Sequence, residues 1–392
     1  MRGNVAEIAA DPALRLYGAA LAATHVLGFL YWRFHHRISV ALDPRTDPIC
    51  WPFFEDCWRW RLLDPGTVDA VLWVYVAAAV ACMALFPWRR LDGIAWVVLL
   101  ALTVAKLLLL VQDYRLRLNQ HYMALWVLAV FLFVPGKRRA LTWLVVAFYV
   151  WAGTLKLGPD WLSGAGLRGG RPLFVPEEYL PLACAYVVVL ELLIVFGLLS
   201  RRAWLFWPAL GQVVLFHVAS WPIVLFFYPT LMLAILTIFP LTRVFPAPAE
   251  TTPAWPAWAV VVTFSLLQLP PLFMPGDAAV TGEGRLFALH MYDAPVVCQG
   301  SATLHDAAGA TRTMELQPFL PTRLYCDPIV YLGMANALCR RRAELGDVRD
   351  LDLLLRSRRA GEKELRTIVS VERFCRAQPT YDLWRHNGWI TP

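Results

Sequence analysis

The sequence predicts an α-helical polytopic membrane bundle of about nine transmembrane helices, followed by a small α+β extracytoplasmic domain. Three observations predict it. First, 58% of the 392 residues are hydrophobic, against roughly 45–50% in a soluble globular domain, and the mean hydropathy is +0.51. Second, the apolar residues gather into runs of roughly 15–20, the length a helix needs to cross a hydrocarbon core about 30 Å thick. Third, the long apolar runs stop near residue 275, where charge rises and a period-2 alternation begins. The boundaries are therefore 1–275 for the transmembrane domain and 276–392 for the extracytoplasmic domain.

The runs fall at 14–34, 68–86, 93–112, 121–135, 140–157, 180–199, 203–219, 222–240 and 256–274, the fourth and seventh being short. Basic connectors follow every second run: Trp88-Arg89-Arg90, Gly136-Lys137-Arg138-Arg139, Ser200-Arg201-Arg202 and Thr242-Arg243. Positively charged short loops stay in the cytoplasm. Nine spans then leave the N-terminus inside and residues after 275 outside. The loop after the first span also holds Arg33, Arg37, Arg45, Arg59 and Arg61, offset by Asp43, Asp47, Glu55, Asp56 and Asp64. The net charge of +7 thus reads as membrane topology. It does not read as nucleic-acid binding, for which there is no basic-aromatic groove motif. Met1 to Pro12 is polar and no small-residue cleavage site follows the first run, so no cleavable signal peptide is expected.

In the tail, 285–292, 296–305 and 311–316 read as strands, the last two joined at Asp306–Gly309. Residues 329–345 carry helical spacing. Residues 351–357 and 365–374 read as a second hairpin around Ala360-Gly361. Residues 246–256 read as an inter-span linker, and no internal repeat is present. Cys82 and Cys184 lie within spans and read as small buried apolar residues. Cys50, Cys57, Cys298, Cys326, Cys339 and Cys375 lie outside them, an even number in a compartment that permits disulfides. Their spacing suits a metal site poorly.

Four ionisable groups at membrane depth or its edge stand out: His121, Lys156, Glu191 and His217. Each alone has a plain structural explanation. His121 can sit among headgroups, Lys156 can snorkel, His217 can be a satisfied core histidine and Glu191 can pair with an arginine. Together they suggest chemistry. His121 opens the fourth span and Lys156 closes the fifth, which places them on one side and lets them approach. Desolvation disfavours an ammonium, so a lysine in an apolar pocket can act as a base, and a neighbouring histidine can polarise a substrate oxygen. A site of this kind suits a substrate that arrives through the bilayer.

Ala152-Gly153 through Lys156-Leu157, with Asp160-Trp161 and Gly164, resembles the signature of the vitamin K-dependent gamma-carboxylases and their bacterial homologues, the HTTM-domain proteins. Asn119-Gln120-His121-Tyr122 resembles the family's Asn-Asn-His segment. The helices around His217 and Leu190-Glu191-Leu192 are similar to its histidine- and glutamate-bearing helices. Gly284 through Met291 resembles a diverged Arg-Phe-Ser-Trp-Arg-Met motif, and the similarity runs over about 16–375. Departures are the single lysine in Leu155-Lys156, where many members have two, and the lack of a histidine or arginine in 269–275.

The resemblance implies an integral membrane gamma-carboxylase-like enzyme of the bacterial inner membrane, which couples epoxidation of a reduced quinone to carboxylation of peptide glutamate. It implies Lys156 as catalytic base and His121 as its partner at the quinone oxygen. His217, Glu191, Asn119, Asp160 and Trp161 would line the pocket, and a Cys50–Cys339 disulfide would tie the first loop to the outer domain. The implied co-reactants are reduced vitamin K or menaquinol, O2 and CO2, with no metal. The implied partners are the lipid bilayer and a secreted or membrane peptide. Two other readings stand beside it: a quinone-linked oxidase with another substrate, and a non-catalytic maturation factor for a secreted peptide.

Overall fold

Each of the nine apolar runs folds as helix over most of its length. The computed structural model describes residues 2–35, 38, 47–60, 65–167, 170–246, 253–289, 296–317, 324–346 and 348–392. Arg37, Arg45, Arg61, Asp43 and Asp64, most of the linker at 246–256, and residues 290–292 lie outside them. The chain divides into two compact units. The first comprises 1–38, 66–109 and 118–267; the second comprises 39–65, 110–117 and 268–392. The second therefore draws on two loops from before residue 275 as well as on the tail.

The first unit is helical: α1 (Arg2–Ala10), α2 (Pro12–Leu30), α3 (Pro65–Leu85), α4 (Asp92–Val111), α5 (Asn119–Phe133), α6 (Lys137–Thr154), α7 (Leu180–Leu192), α8 (Ala203–Val224), α9 (Phe227–Leu236), α10 (Ile238–Val244) and α11 (Trp255–Leu266). Among the described residues, 7 helical segments are long and apolar enough to cross a membrane: Pro12–His35, Gly66–Leu85, Arg89–Val111, Glu177–Leu199, Ala203–Val224, Phe227–Val244 and Trp255–Phe273. The other two expected spans are α5, which has 15 residues, and α6, whose first turn is Lys137-Arg138-Arg139. Both are largely buried, which is why their apolar runs look like spans in the sequence. The long helices show the reverse: Val74, Trp204 and Leu215 stand exposed on them. Apolar side chains displayed in this way along spanning-length helices face lipid rather than water. The protein is an integral membrane protein.

One end of this unit is pinned by the basic residues of α6. Arg138 donates to the Asp11 carboxylate and to the carbonyls of Phe245 and Thr242. Lys137 donates from its backbone to Glu7 and from Nζ to Asn4 and Val134. The sequence presents these as loop charges, whereas the fold uses them to join the starts of α1, α2 and α6 to the end of α10.

The second unit is an antiparallel sheet of order β2-β1-β3-β4, with β1 Val296–Asp306, β2 Thr311–Leu316, β3 Val348–Arg359 and β4 Arg366–Val371. Register runs from Gly300 opposite Leu316 to His305 opposite Thr311. One face, carrying Val296, Cys298, Ala302 and Leu304, is buried. Helix α12 (Pro328–Arg340) covers that face with Ile329, Val330, Tyr331 and Leu332. Gly300 is required there, because a Cβ would come within 2.0 Å of the Tyr331 ring. The strand expected at 285–292 does not form over its described part: Arg285–Leu289 is turn, and its carbonyls at Arg285, Leu286 and Ala288 accept from the Arg117 guanidinium. An arginine takes the place of a neighbouring strand.

The six cysteines outside the spans form disulfides, but not as the resemblance implies. Cys50 pairs with Cys57, Cys298 with Cys326, and Cys339 with Cys375. In place of a Cys50–Cys339 bridge, local geometry brings Cys50 to Cys57. Turns from Trp51 to Phe54 and from Phe54 to Cys57 fold the loop back on itself, so the Cα atoms of Cys50 and Cys57 stand 5.4 Å apart. The end of α12 meets the residues after β4, bringing Cys375 to Cys339. The two longer loops would each gain about 3–4 kcal/mol from closure in the chain-entropy model.

Asp277 caps a short turn and takes two hydrogen bonds from Arg359, at 2.5 and 2.8 Å. Burial alone would raise this carboxyl, but the bonds and charge of Arg359 outweigh it and hold it below the usual carboxylate range. A carboxylate depressed in the folded state contributes stability above its unfolded pKa, and that stability is lost as pH falls through the folded one. The thermal midpoint of the second unit should thus be flat above about pH 5 and fall below about pH 4, and Asp277→Asn should flatten that fall; melting curves across pH check both. A non-reducing digest should yield peptides linked Cys298 to Cys326 and Cys339 to Cys375, with Cys50 joined only to Cys57.

Candidate functional site

Lys156 lies just past the end of α6. Its N–H bonds Gly153 O at 3.0 Å, which tightens the last turn and turns the side chain back along the helix. Nζ comes within 3.4 Å of the Ala152 carbonyl. At the same level Gly153 lets α7 approach: a Cβ there would stand 2.9 Å from Leu192 and 3.0 Å from the Glu191 Cβ. That close crossing brings Glu191 onto Lys156. Nζ donates to both carboxylate oxygens, at 2.7 and 2.6 Å. Lys156 is 4% exposed and Glu191 fully buried.

The surroundings are aromatic. The Trp161 ring lies 5.3 Å from Nζ, held by its indole N–H on the Cys184 carbonyl, two turns before Glu191 on α7. His217 on α8 is fully buried and shares a 2.6 Å hydrogen bond between Nε2 and the Tyr149 hydroxyl. Its Nδ1 has no hydrogen-bond partner among the described residues. Tyr149, on α6, lies seven residues before Lys156, and the Tyr228 ring is 5.7 Å from His217. The Lys156 charge acts on His217, and that of Glu191 on Tyr149. Lys156, Glu191, Trp161, Tyr149, His217 and Tyr228 therefore make one polar cluster inside the helices.

His121, in the first turn of α5, is also buried. It packs among Tyr31, Trp32 and Phe227, with ring centroids at 6.3, 4.9 and 5.3 Å. Phe227 and Tyr228 are consecutive on α9, so that helix carries both the aromatic wall beside His121 and the one beside His217. Asn119 is buried two residues before His121, and Asp160 is only half-buried in the turn Pro159–Leu162. Glu191 does not meet an arginine; its partner is Lys156.

The cluster also contains residues that the sequence does not single out. Tyr149 and Tyr228 sit in apolar runs rich in aromatics, where a hydroxyl carries no pattern of its own. The signal available for Tyr149 is its seven-residue spacing from Lys156, which places both on one helix face. Lys106 and His25, each in the middle of an apolar run, have the same character as Lys156 and were legible as such. Among the described residues no group of three or more His, Cys, Asp or Glu is placed to hold a metal ion.

Comparison with known protein families, with characterised proteins and with solved structures gives no match.

The pair offers a chemical unit with no net charge. Two charges removed from water are tolerable only as partners, and removing one leaves the other uncompensated at a cost of about 3–5 kcal/mol. Glu191→Ala should therefore lower the unfolding midpoint in detergent sharply, whereas the double substitution Lys156→Met with Glu191→Met should recover most of the loss. Thermal melts of the three proteins check this.

Proposed function

We propose that the chain is an integral membrane enzyme of the vitamin K-dependent carboxylase type, with Lys156 and Glu191 as its proton-transfer pair. The observation that carries this reading is the buried Lys156–Glu191 contact among aromatic rings. The residue types suit a reduced quinone: Trp161 and Tyr228 offer ring faces, while His217 Nδ1 offers a polar atom with no hydrogen-bond partner among the described residues. A reduced quinone supplies, with dioxygen, the strong base needed to take a γ-proton from glutamate for attack on carbon dioxide.

The chain's own residues account for the first proton. As an ammonium, Lys156 cannot accept one. Transfer of its proton along the existing 2.6 Å hydrogen bond to Glu191 leaves a neutral amine beside a neutral acid, with no charge created in the apolar interior. The amine then accepts the proton of a substrate hydroxyl and becomes the counter-charge to the oxygen left behind. Tyr149, by donating to His217 Nε2, would leave the ring's proton on Nδ1, poised toward a second oxygen. His121, packed against Phe227 beside Tyr228 on α9, is assigned to orient the ring.

In this reading the nine helical runs all span, α5 and α6 being the enclosed pair, and the second unit is extracytoplasmic. Three disulfides support that side, since they persist in oxidising compartments. Its glutamate-bearing peptide is assigned to a cleft of about 720 Å³ within the second unit, lined by Arg59, Arg340 and Arg342 together with Glu55 and Asp56, between Trp51, Trp58 and Tyr381.

A structural reading competes. Both Glu191 oxygens are already occupied by Lys156, so the pair can serve simply to join α6 to α7. Activity separates the two. Purified wild type should epoxidise a reduced quinone; Lys156→Ala should lose at least about 100-fold in kcat, and Lys156→Arg should fail as well because a guanidinium stays charged. A quinol-epoxidation assay beside a folding control decides: full activity in both variants leaves only the structural role.

A further inference from the structure

The span that carries Glu191 changes helix type before it ends. α7 stops at Leu192, and Ile194–Leu199 continues as a 3-10 helix, which is tighter than an α-helix. Gly197 meets α8 there: a Cβ would stand 2.7 Å from the Ala209 Cβ. These two small residues touch while larger ones stand to either side, and a groove of about 420 Å³ runs between the 3-10 segment and α8. Leu193, Phe196, Trp204 and Leu205 line it and are exposed. At its far end lies Gln212, whose amide is already engaged. Oε1 accepts from the Tyr186 hydroxyl at 2.5 Å, and Nε2 donates to the Pro208 carbonyl at 2.9 Å. That end of the groove suits hydrocarbon.

The other end is basic. Ser200 and Trp204 both line the groove, and Arg201 and Arg202 lie between them in the chain. Arg243, in the last turn of α10, donates to the Arg201 carbonyl at 2.6 Å, which brings a third guanidinium to the same end. All three arginines are exposed, and the sequence has no Asp or Glu from 192 to 249. α8 also begins here. Arg202 is its N-cap and makes no side-chain cap, so the first-turn N–H groups lack the acceptor that a capping side chain supplies. The start of this 22-residue helix is the positive end of its dipole, which favours an anion.

A ligand that matches both ends is an amphiphile with a negative head. Along α8 the groove has the length for its tail, because Trp204 and Gln212 are about 12 Å apart on the helix axis. We infer that this groove is a binding site for an anionic phospholipid. Its phosphate sits at Arg201, Arg202 and the start of α8, and one acyl chain lies along Trp204, Leu205 and Phe196 toward Gln212. A zwitterionic phospholipid would bring its own cation to the arginines and forfeit the charge match, and free phosphate would leave the apolar groove unfilled. The site does not depend on the chemistry at Lys156.

The test places the full chain in phosphatidylcholine nanodiscs. Trace phosphatidylglycerol or phosphatidylcholine is added, each with the same chains and a photoactivatable diazirine in one of them, and cross-linked peptides are mapped by mass spectrometry. Phosphatidylglycerol should label residues 193–212 at least about tenfold more than phosphatidylcholine does. Unlabelled phosphatidylglycerol should compete that label away, whereas the same amount of added phosphatidylcholine should leave it. The double substitution Arg201→Gln with Arg202→Gln should bring the label down to the phosphatidylcholine level. Equal labelling by the two lipids, phosphatidylglycerol label spread evenly over the helices, or label unchanged in the double variant overturns the inference. Should that variant not fold, the competition in the wild type decides.

Discussion

A charge withdrawn from water must find an opposite charge or give up its proton, and the Lys156–Glu191 contact is where this chain meets that constraint. The contact needs three separate features of the sequence. Lys156 must fall just after the end of its helix, so that its side chain runs back inward. Gly153 must lack a side chain, so that α7 approaches closely. Glu191 must lie two turns beyond Cys184, whose carbonyl holds the Trp161 ring against the ammonium. A change at any of the three separates the partners and leaves a buried ion without compensation.

The aromatic residues extend this arrangement. Tyr149 and His217 form a hydrogen-bonded couple on the neighbouring helices, and α9 contributes Tyr228 to that couple and Phe227 to the packing around His121. Polar groups in a helix core persist where each is met by another, and here the partners come from α6, α7 and α8 rather than from water. The second unit meets a different need. Its sheet has one buried face covered by α12, and three disulfides together with the Arg117 and Arg359 contacts fix the segments that regular pairing does not reach.

Helical runs, strands β1 and β2 and helix α12 were legible in the sequence, because each rests on hydrophobic period and turn chemistry, which are local. Thr311–Leu316 matches its expected bounds for that reason. Pairings across the fold were not legible. Glu191 and Lys156 are separated by a long stretch of chain, and no spacing rule says that a glycine contact will join them. The resemblance pairs Cys50 with Cys339, whereas the turns between Cys50 and Cys57 bring those two together. Arg285–Leu289 alternates like a strand, but its carbonyls are taken by Arg117. Lys106 and His25 carry the same signal as Lys156, an ionisable group within an apolar run, but no motif surrounds them.

The proposed chemistry turns on Glu191 accepting the Lys156 proton when a substrate hydroxyl is deprotonated. Infrared difference spectroscopy of the full chain, recorded on adding a reduced quinone without oxygen, observes that event directly. A carbonyl stretch of a protonated carboxylic acid should appear in the wild type and be missing in Glu191→Gln. Substrate binding and turnover with the Glu191 carboxylate bands unchanged would contradict the pair as the proton-transfer unit.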